Sequence, residues 1–240
     1  LTLEIKIKEK IVRRSYSICS AVNEGLQVGI KEVPGGIFST YANRSLKESD
    51  RLMVAAPEGR FLFAPSEKPQ TLLGFAAGSG ITPIMSILKT ALLDHKKNRF
   101  HLIYGNKTPE DTMFYKELKS LEADFEGRLT IQWVFSRANV EQCLFGRIEK
   151  PVVKNALKSM GETVEKFYIC GPESMINLVS NTLVDSGLEK SNVMFELFTS
   201  ASSITEIETV RDEASLEIIY DELTHKIENI KGKSVLDAAI

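Results

Sequence analysis

Leu72-Leu73-Gly74-Phe75-Ala76-Ala77-Gly78-Ser79-Gly80-Ile81-Thr82-Pro83-Ile84-Met85-Ser86-Ile87-Leu88 joins a short apolar run to a segment of helical apolar spacing through a Gly-Ser-Gly turn. The run is short enough for a buried strand, Thr82 is placed to cap the helix that follows, and Pro83 suits its first turn. Such a turn presents backbone N–H groups, with little side-chain bulk in the way, at the positive end of a helix dipole. It therefore suits a phosphate or pyrophosphate. The dinucleotide fingerprint has a third glycine where this chain has Pro83, so Gly78 and Gly80 by themselves fit an ordinary strand-to-helix turn equally well.

Downstream, strand-like runs at 71–76, 99–104, 129–135 and 165–170 alternate with helix-like segments at 83–94, 114–122, 150–159 and 173–186. That alternation predicts right-handed β-α-β crossovers and a parallel sheet covered on both faces. Ligands of such sheets bind off the carboxyl ends of the strands, where Gly78, Gly105 and Gly171 all fall. Upstream, the pattern from 1 to 63 is β-rich. Leu3, Ile5 and Ile7 alternate with polar residues, and 16–19, 26–30 and 52–56 read as further strands of a barrel or sandwich. Pro65 to Pro69 makes a polar, proline-bounded connection between the two regions.

The last forty residues read differently. From 200 to 212 the chain is rich in Ser, Thr and Glu, then 214–220 and 224–230 suggest a β-hairpin, and 234–240 suggests a first helical turn. A hairpin with one helical stub buries little core, so this tail reads as the opening of a further domain. Leu1 stands where an initiator methionine would, which leads us to expect chain upstream as well.

At 240 residues two domains are favoured, and a hydrophobic content of 43% is ordinary for a globular protein. No apolar run is long enough to cross a bilayer, which argues against a membrane protein. A net charge of −2 with scattered Lys and Arg leaves no nucleic-acid footprint. Cys19, Cys143 and Cys170 are odd in number and widely separated, which argues against a disulfide framework and a metal-chelating pair and fits a reducing cytoplasm.

Two stretches of the β-rich region carry chemistry. In Arg14-Ser15-Tyr16-Ser17-Ile18-Cys19-Ser20, a strand would put Arg14 and Tyr16 on one face and Ser17 on the other. The guanidinium could then hold a phosphate while the phenol packs beside a flat aromatic ligand; a surface Arg and a half-buried Tyr on a barrel strand fit the same residues. In Pro34-Gly35-Gly36-Ile37-Phe38-Ser39-Thr40-Tyr41 the glycines bring backbone close and Ser39 is placed to cap a helix whose first amides face an anion; a β-turn is the plainer alternative.

With these two stretches, the Gly78–Pro83 turn and Cys170-Gly171-Pro172-Glu173-Ser174-Met175 in this order, the chain closely resembles the ferredoxin-NADP reductase superfamily. More narrowly it is similar to oxygenase reductases with a flavin domain, a nicotinamide domain and a C-terminal plant-type [2Fe–2S] ferredoxin domain, the phenylacetyl-CoA epoxidase reductases among them. The resemblance implies a β-barrel FAD-binding domain, N-terminally incomplete, over 1–66 and an α/β parallel-sheet NAD(P)-binding domain over 67–200. A linker over 201–213 and the start of a β-grasp ferredoxin domain over 214–240 follow.

It also implies roles. Arg14 falls on the FAD pyrophosphate, Tyr16 against the isoalloxazine and Ser17 near flavin N5. Gly35, Gly36 and Ser39 give further phosphate contacts, while Gly78, Gly80, Thr82 and Pro83 form the loop over the nicotinamide dinucleotide. Cys170, Gly171 and Pro172 lie beside the nicotinamide ring, and Glu196 and Phe198 form a Glu-x-aromatic element near the flavin. Ser17, Cys170 and Glu196 are thereby the expected catalytic residues. Ser136 and Arg137, directly after a strand, suit a ribose 2′-phosphate, so NADPH is expected with NADH as the alternative donor.

The implied activity is hydride transfer from NADPH to FAD, then single electrons through the [2Fe–2S] domain to an oxygenase component or ferredoxin-type acceptor. The family's iron-ligand spacing would begin beyond Ile240, so the cluster is expected only in the full-length protein and no metal ligand is assigned here. The alternatives are a stand-alone NAD(P)H:flavin reductase, a flavohaemoglobin-type reductase, or a non-enzymatic nucleotide-binding regulator of the same fold.

Overall fold

A computed structural model describes residues 1–198, apart from Lys8 and Glu162, together with the backbone of 216–220 and 223–227. The chain divides into two compact units, Leu1–Phe198 and Thr199–Ile240.

In the first unit the strands β1 (Thr2–Ile7) and β2 (Lys10–Ser15) form a hairpin with Ile5 opposite Val12. After the short helix α1 (Ile37–Arg44), β3 (Met53–Val54) pairs with the free edge of β1, giving an antiparallel sheet in the order β2-β1-β3. Leu3, Val12 and Phe38 make its small core, with Ile5, Tyr16, Val28 and Ile30 packed around them.

Two expectations are corrected here. The strands predicted at 16–19 and 26–30 reduce to a single bridge, Ile18 to Val28, because Cys19 leaves this sheet to enter the core of the neighbouring lobe. The predicted strand at 52–56 shrinks to Met53–Val54. β2 had no signal in the sequence: of its six residues only Val12 is buried, and pairing with β1 rather than its own periodicity holds it.

The rest of this unit is a six-stranded parallel sheet. In chain order it comprises β4 (Thr71–Ala77), α2 (Ile81–Asp94), β5 (Arg99–Asn106), α3 (Tyr115–Asp124), β6 (Leu129–Phe135) and β7 (Leu144–Phe145). Then come α4 (Lys150–Ser159), β8 (Lys166–Gly171), α5 (Glu173–Asp185) and β9 (Val193–Leu197). The strand order is β7-β6-β5-β4-β8-β9. β4 is buried almost end to end because helices cover both its faces: Leu72 and Ala76 pack with Ile84 and Leu88 of α2, while Leu73 and Phe75 pack with Val179 and Leu183 of α5.

From β4 the chain runs outward through β5, β6 and β7, then returns to place β8 on β4's other side. This reversal between β4 and β8 is the topological switch point, where an open α/β sheet leaves a crevice.

The two lobes of the first unit are tied together. Ser86 Oγ donates to the Ser20 carbonyl at 2.7 Å and Lys31 Nζ to that of Asp111 at 2.7 Å. Lys89, 7% exposed, pairs with Glu24 of the antiparallel lobe at 3.3 Å and with Glu117 of α3 at 2.7 Å. Gly29 lies so close to Phe114 and Thr82 that a Cβ would stand 2.8 and 2.9 Å from their side chains.

In the second unit β10 (Leu216–Tyr220) and β11 (Leu223–Ile227) pair antiparallel, as the hairpin reading expects. The linker and the helical turn at 234–240 lie outside the described residues.

Candidate functional site

β4 ends in the turn 78–80 at the switch point. Gly78 takes φ +55°, and a Cβ on Gly80 would meet the carbonyl oxygen of Cys170 at 2.2 Å, so only glycine lets the turn lie against the end of β8. Helix α2 then starts at Ile81 with Gly80 in the capping position and no side-chain cap. The expected cap is corrected: Thr82, buried inside the first turn, donates its hydroxyl to the Ser79 carbonyl at 3.0 Å. The helix start is thus left without a side-chain cap, at the sheet end where ligands of open α/β sheets bind.

On the other side of the crevice β8 ends at Gly171, and Pro172 precedes α5. Cys170 is wholly buried and pairs in register with Glu196 of β9. Burial first, and then the charge of Glu196, push the Cys170 thiol up, which keeps it neutral. Glu196 in turn accepts a 2.7 Å hydrogen bond from the hydroxyl of Ser17. The structure thus brings together Ser17, Cys170 and Glu196, which are far apart in sequence. Phe198, 41% exposed, follows directly after β9.

Arg14 is exposed on β2, its Nη1 donating to the Arg13 carbonyl at 2.6 Å. The strand stops at Ser15, so Tyr16 and Ser17 lie beyond it, and the shared strand face expected for Arg14 and Tyr16 is not formed by β2 itself. The Tyr16 ring is half-buried, its centroid 5.5 Å from that of Phe38, and burial raises the phenol's pKa despite the Arg14 charge that opposes it. Gly35, at φ +76°, and Gly36 lead into α1. Here too the cap is corrected: Gly36 occupies that position, and Ser39 Oγ instead accepts the Val33 N–H at 3.2 Å and donates to the Gly36 carbonyl at 3.4 Å. The hydroxyl closes the turn from within, and the helix start stays open.

At the far end of the sheet's carboxyl edge, Ser136 and Arg137 prolong the ladder past β6. Ser136 N–H donates to Asn106 and Arg137 N–H to Lys107, at 3.0 and 2.9 Å, and the Arg137 side chain is exposed. The sequence reading missed Tyr104, whose buried hydroxyl donates to the Gly78 carbonyl at 2.9 Å. A tyrosine at the end of a buried strand needs a partner for its hydroxyl, and that was the available signal.

The glycine turn at 78–80, open on the Gly78 side, the turn at Gly35 and Gly36 and the uncapped starts of α1 and α2 fit two phosphate-bearing dinucleotides, one on each lobe. Among the described residues no group of three His, Cys, Asp or Glu could hold a metal ion, and no helix is long and apolar enough to cross a membrane.

Comparison with known proteins agrees. The oxidoreductase FAD-binding domain family matches residues 1–63 and the oxidoreductase NAD-binding domain family residues 75–181. One of the subunits of 1,2-phenylacetyl-CoA epoxidase from Escherichia coli (strain K12) is 31% identical over 252 residues, 100% of this chain and 70% of that protein. The ferredoxin reductase component of 3-ketosteroid-9-alpha-monooxygenase from Rhodococcus rhodochrous is 27% identical over 240 residues, 94% of this chain; the chain spans 64% of that protein's length. Phthalate dioxygenase reductase, described as a modular structure for electron transfer from pyridine nucleotides to [2Fe-2S], shares the fold, with a TM-score of 0.64 at 19% identity over 99% of this chain and 68% of its own. The chain belongs to the ferredoxin reductase family, oxidoreductases built from an FAD-binding and an NAD-binding domain.

Proposed function

We propose that the full-length protein is the reductase component of an oxygenase system: it takes hydride from NADPH onto FAD and passes single electrons through a [2Fe–2S] domain to its oxygenase. The observation that carries this reading is the hydrogen bond from Ser17 to Glu196, with Cys170 in register beside it, where the two lobes meet at the switch point. The relatives named as part of an epoxidase and as a monooxygenase's reductase component support the oxygenase partner. The alignment that takes in the whole chain supports the phenylacetyl-CoA class within this reading. The three free cysteines suit a cytoplasmic site.

Bound FAD supplies the chemistry, accepting a hydride and giving up electrons one at a time. The chain's own residues bind, orient and exclude water. In this reading Arg14, Gly35, Gly36 and Ser39 hold the flavin's phosphates and Tyr16 packs on its ring, with Phe198 as a second aromatic cover. Gly78, Gly80, Thr82 and Pro83 shape the loop for the nicotinamide dinucleotide, and Ser136 and Arg137 take its 2′-phosphate. Gly171 and Pro172 form the floor next to the Cys170 thiol, which stays uncharged and so adds no repulsion to a reacting ring. The Ser17 hydroxyl donates to the Glu196 carboxylate, which holds a polar group at a fixed place between the two lobes. The domain limits of 1–66, 67–200, 201–213 and 214–240 are part of the same proposal.

The test is the full-length protein. It should be purified yellow, show a flavin spectrum that NADPH bleaches, and reduce ferricyanide or cytochrome c. Colourless protein without diaphorase activity would overturn the proposal.

A further inference from the structure

Tyr104 sits on β5 with no solvent exposure, its ring tilted against Trp133 with centroids 5.9 Å apart. Its hydroxyl donates to the Gly78 carbonyl at 2.9 Å, and the Met113 carbonyl is a more distant second acceptor at 3.4 Å. Asn106, two residues on, comes close enough to ease the phenol's ionisation, yet both of its amide atoms are buried without a hydrogen-bond partner. It therefore does not draw the hydroxyl away from Gly78. Burial pushes the phenol's pKa far up, so the group remains a donor through the neutral range.

The Gly78 carbonyl also accepts the Ile81 backbone N–H, while a Cβ on Gly78 would meet nothing within 4 Å, so no side chain bears on the peptide from that direction. The Gly78–Ser79 peptide is trans, which sets the Ser79 N–H opposite to the Gly78 carbonyl. With that carbonyl directed at the buried Tyr104 hydroxyl, the N–H points the opposite way, away from the Tyr104 ring. Without the phenol the Gly78 carbonyl would keep only the Ile81 N–H as partner, and the tilt of the peptide, with the aim of the Ser79 N–H, would be less narrowly set.

We propose that Tyr104 is a positioning residue for the dinucleotide: it touches no ligand, but by holding the Gly78 carbonyl it aims the Ser79 N–H at the pyrophosphate. Its role rests on the turn 78–80 being the dinucleotide site, as proposed above. A phosphate group elsewhere on the ligand, such as the ribose 2′-phosphate, is outside its reach.

The experiment compares wild type and Tyr104→Phe as flavin-loaded full-length protein, titrated by calorimetry with NADP+ and with 2′-AMP, which has the adenosine 2′-phosphate but no pyrophosphate. The hydrogen bond predicts a dissociation constant for NADP+ about tenfold higher in the variant. Binding of 2′-AMP should not change, and the NADPH Michaelis constant should rise while the rate at saturation holds. Equal affinity of the two proteins for NADP+ would overturn the role of Tyr104 alone. So would a matched loss for NADP+ and 2′-AMP, which is the mark of general loosening. Wild type that binds neither ligand would overturn the dinucleotide site as well. A second measurement needs no variant: in wild type the Ser79 amide resonance should shift with NADP+ and not with 2′-AMP, and a Ser79 amide indifferent to NADP+ would overturn the proposal.

Discussion

Ser17 donates its hydroxyl to Glu196 Oε2 at 2.7 Å, a contact between residues 179 apart in the chain and on different lobes. β9 supplies Glu196 from beside β8, in register with Cys170, and the segment after β2 supplies Ser17. A hydrogen bond to a charged carboxylate contributes about 1.5–3 kcal/mol. If all of it acts during hydride transfer, Ser17→Ala should slow flavin reduction by about 10- to 100-fold. The NADPH Michaelis constant should change little, because neither residue is placed to bind phosphate. Stopped-flow bleaching of the flavin at saturating NADPH is the measurement. An unchanged rate would remove Ser17 from the chemistry.

The two glycines of the 78–80 turn should differ in what they tolerate. On Gly80 a Cβ meets the Cys170 carbonyl oxygen at 2.2 Å and its carbon at 2.4 Å, both backbone atoms that cannot step aside. Gly80→Ala should therefore push the turn off β8 and cost several kcal/mol, with loss of NADP+ binding. Gly78 has open space around it and asks only for a positive φ, so Gly78→Ala should cost about 1 kcal/mol. Urea denaturation of the two variants gives the comparison directly.

How much of this was legible follows from where the signal sits. The parallel sheet announces itself because β4 is a short apolar run buried on both faces and ended by a glycine turn, and a pattern that local needs no partner to be read. β2 was invisible for the opposite reason: its one buried residue, Val12, gives no period, and only pairing with β1 makes it a strand. The caps failed together. Thr82 and Ser39 have the residue type of a cap, but Gly80 and Gly36 start their helices earlier, and the two hydroxyls, buried in the first turns, bond to neighbouring backbone. The members of the site were each readable from motif resemblance, whereas the bond between Ser17 and Glu196 is a property of the lobe packing and has no local trace. Tyr104 was hidden because its acceptor lies 26 residues away, in the turn after the neighbouring strand.

Lys89 joins Glu24 of one lobe to Glu117 of the other and is almost without solvent contact. Burial pulls its pKa down, but Glu117 and Glu24 together outweigh that and leave it raised, so the ammonium is charged at neutral pH. Lys89→Ala would strand two carboxylates that keep partial access to water, with side chains 37% and 43% exposed. The loss should be about 2 kcal/mol, below that of breaking a fully buried pair. Lys89→Met, which keeps the stem, should lose less. Because the pair is sheltered, raising the salt concentration should not reproduce the effect. A melting series of the three proteins at low and high salt tests this.

Arg137 stands exposed at the carboxyl edge of β6, with its backbone fixed to Lys107 and its guanidinium free to meet a ligand. A guanidinium binds a ribose 2′-phosphate by charge-assisted hydrogen bonds that a hydroxyl pair cannot match. Arg137→Ala should raise the Michaelis constant for NADPH by about tenfold or more and leave that for NADH nearly as it was. Steady-state diaphorase assays with both donors decide it, and equal changes would locate the 2′-phosphate elsewhere.

The buried acids set the alkaline limit of the fold. Burial, then the charge of Glu196, raise the Cys170 thiol above its ordinary 9.0, and burial pushes the Tyr168 phenol from 10.0 up to about 12. For each, the folded state keeps a proton that the unfolded chain releases. The stability contributed is therefore complete below the unfolded value and is lost as pH rises toward the folded one. A single such group lowers stability by at most about 1.4 kcal/mol per pH unit in that window. Urea midpoints should then be level, as far as these groups decide, up to about pH 8.5 and fall from there through pH 12. Removing one of the three thiols softens the onset: Cys170→Ala should decline more gently than wild type between about pH 8.5 and 10, where thiols and not phenols titrate in the unfolded chain. Identical slopes in that interval would mean that Cys170 ionises as easily folded as unfolded, contrary to its complete burial.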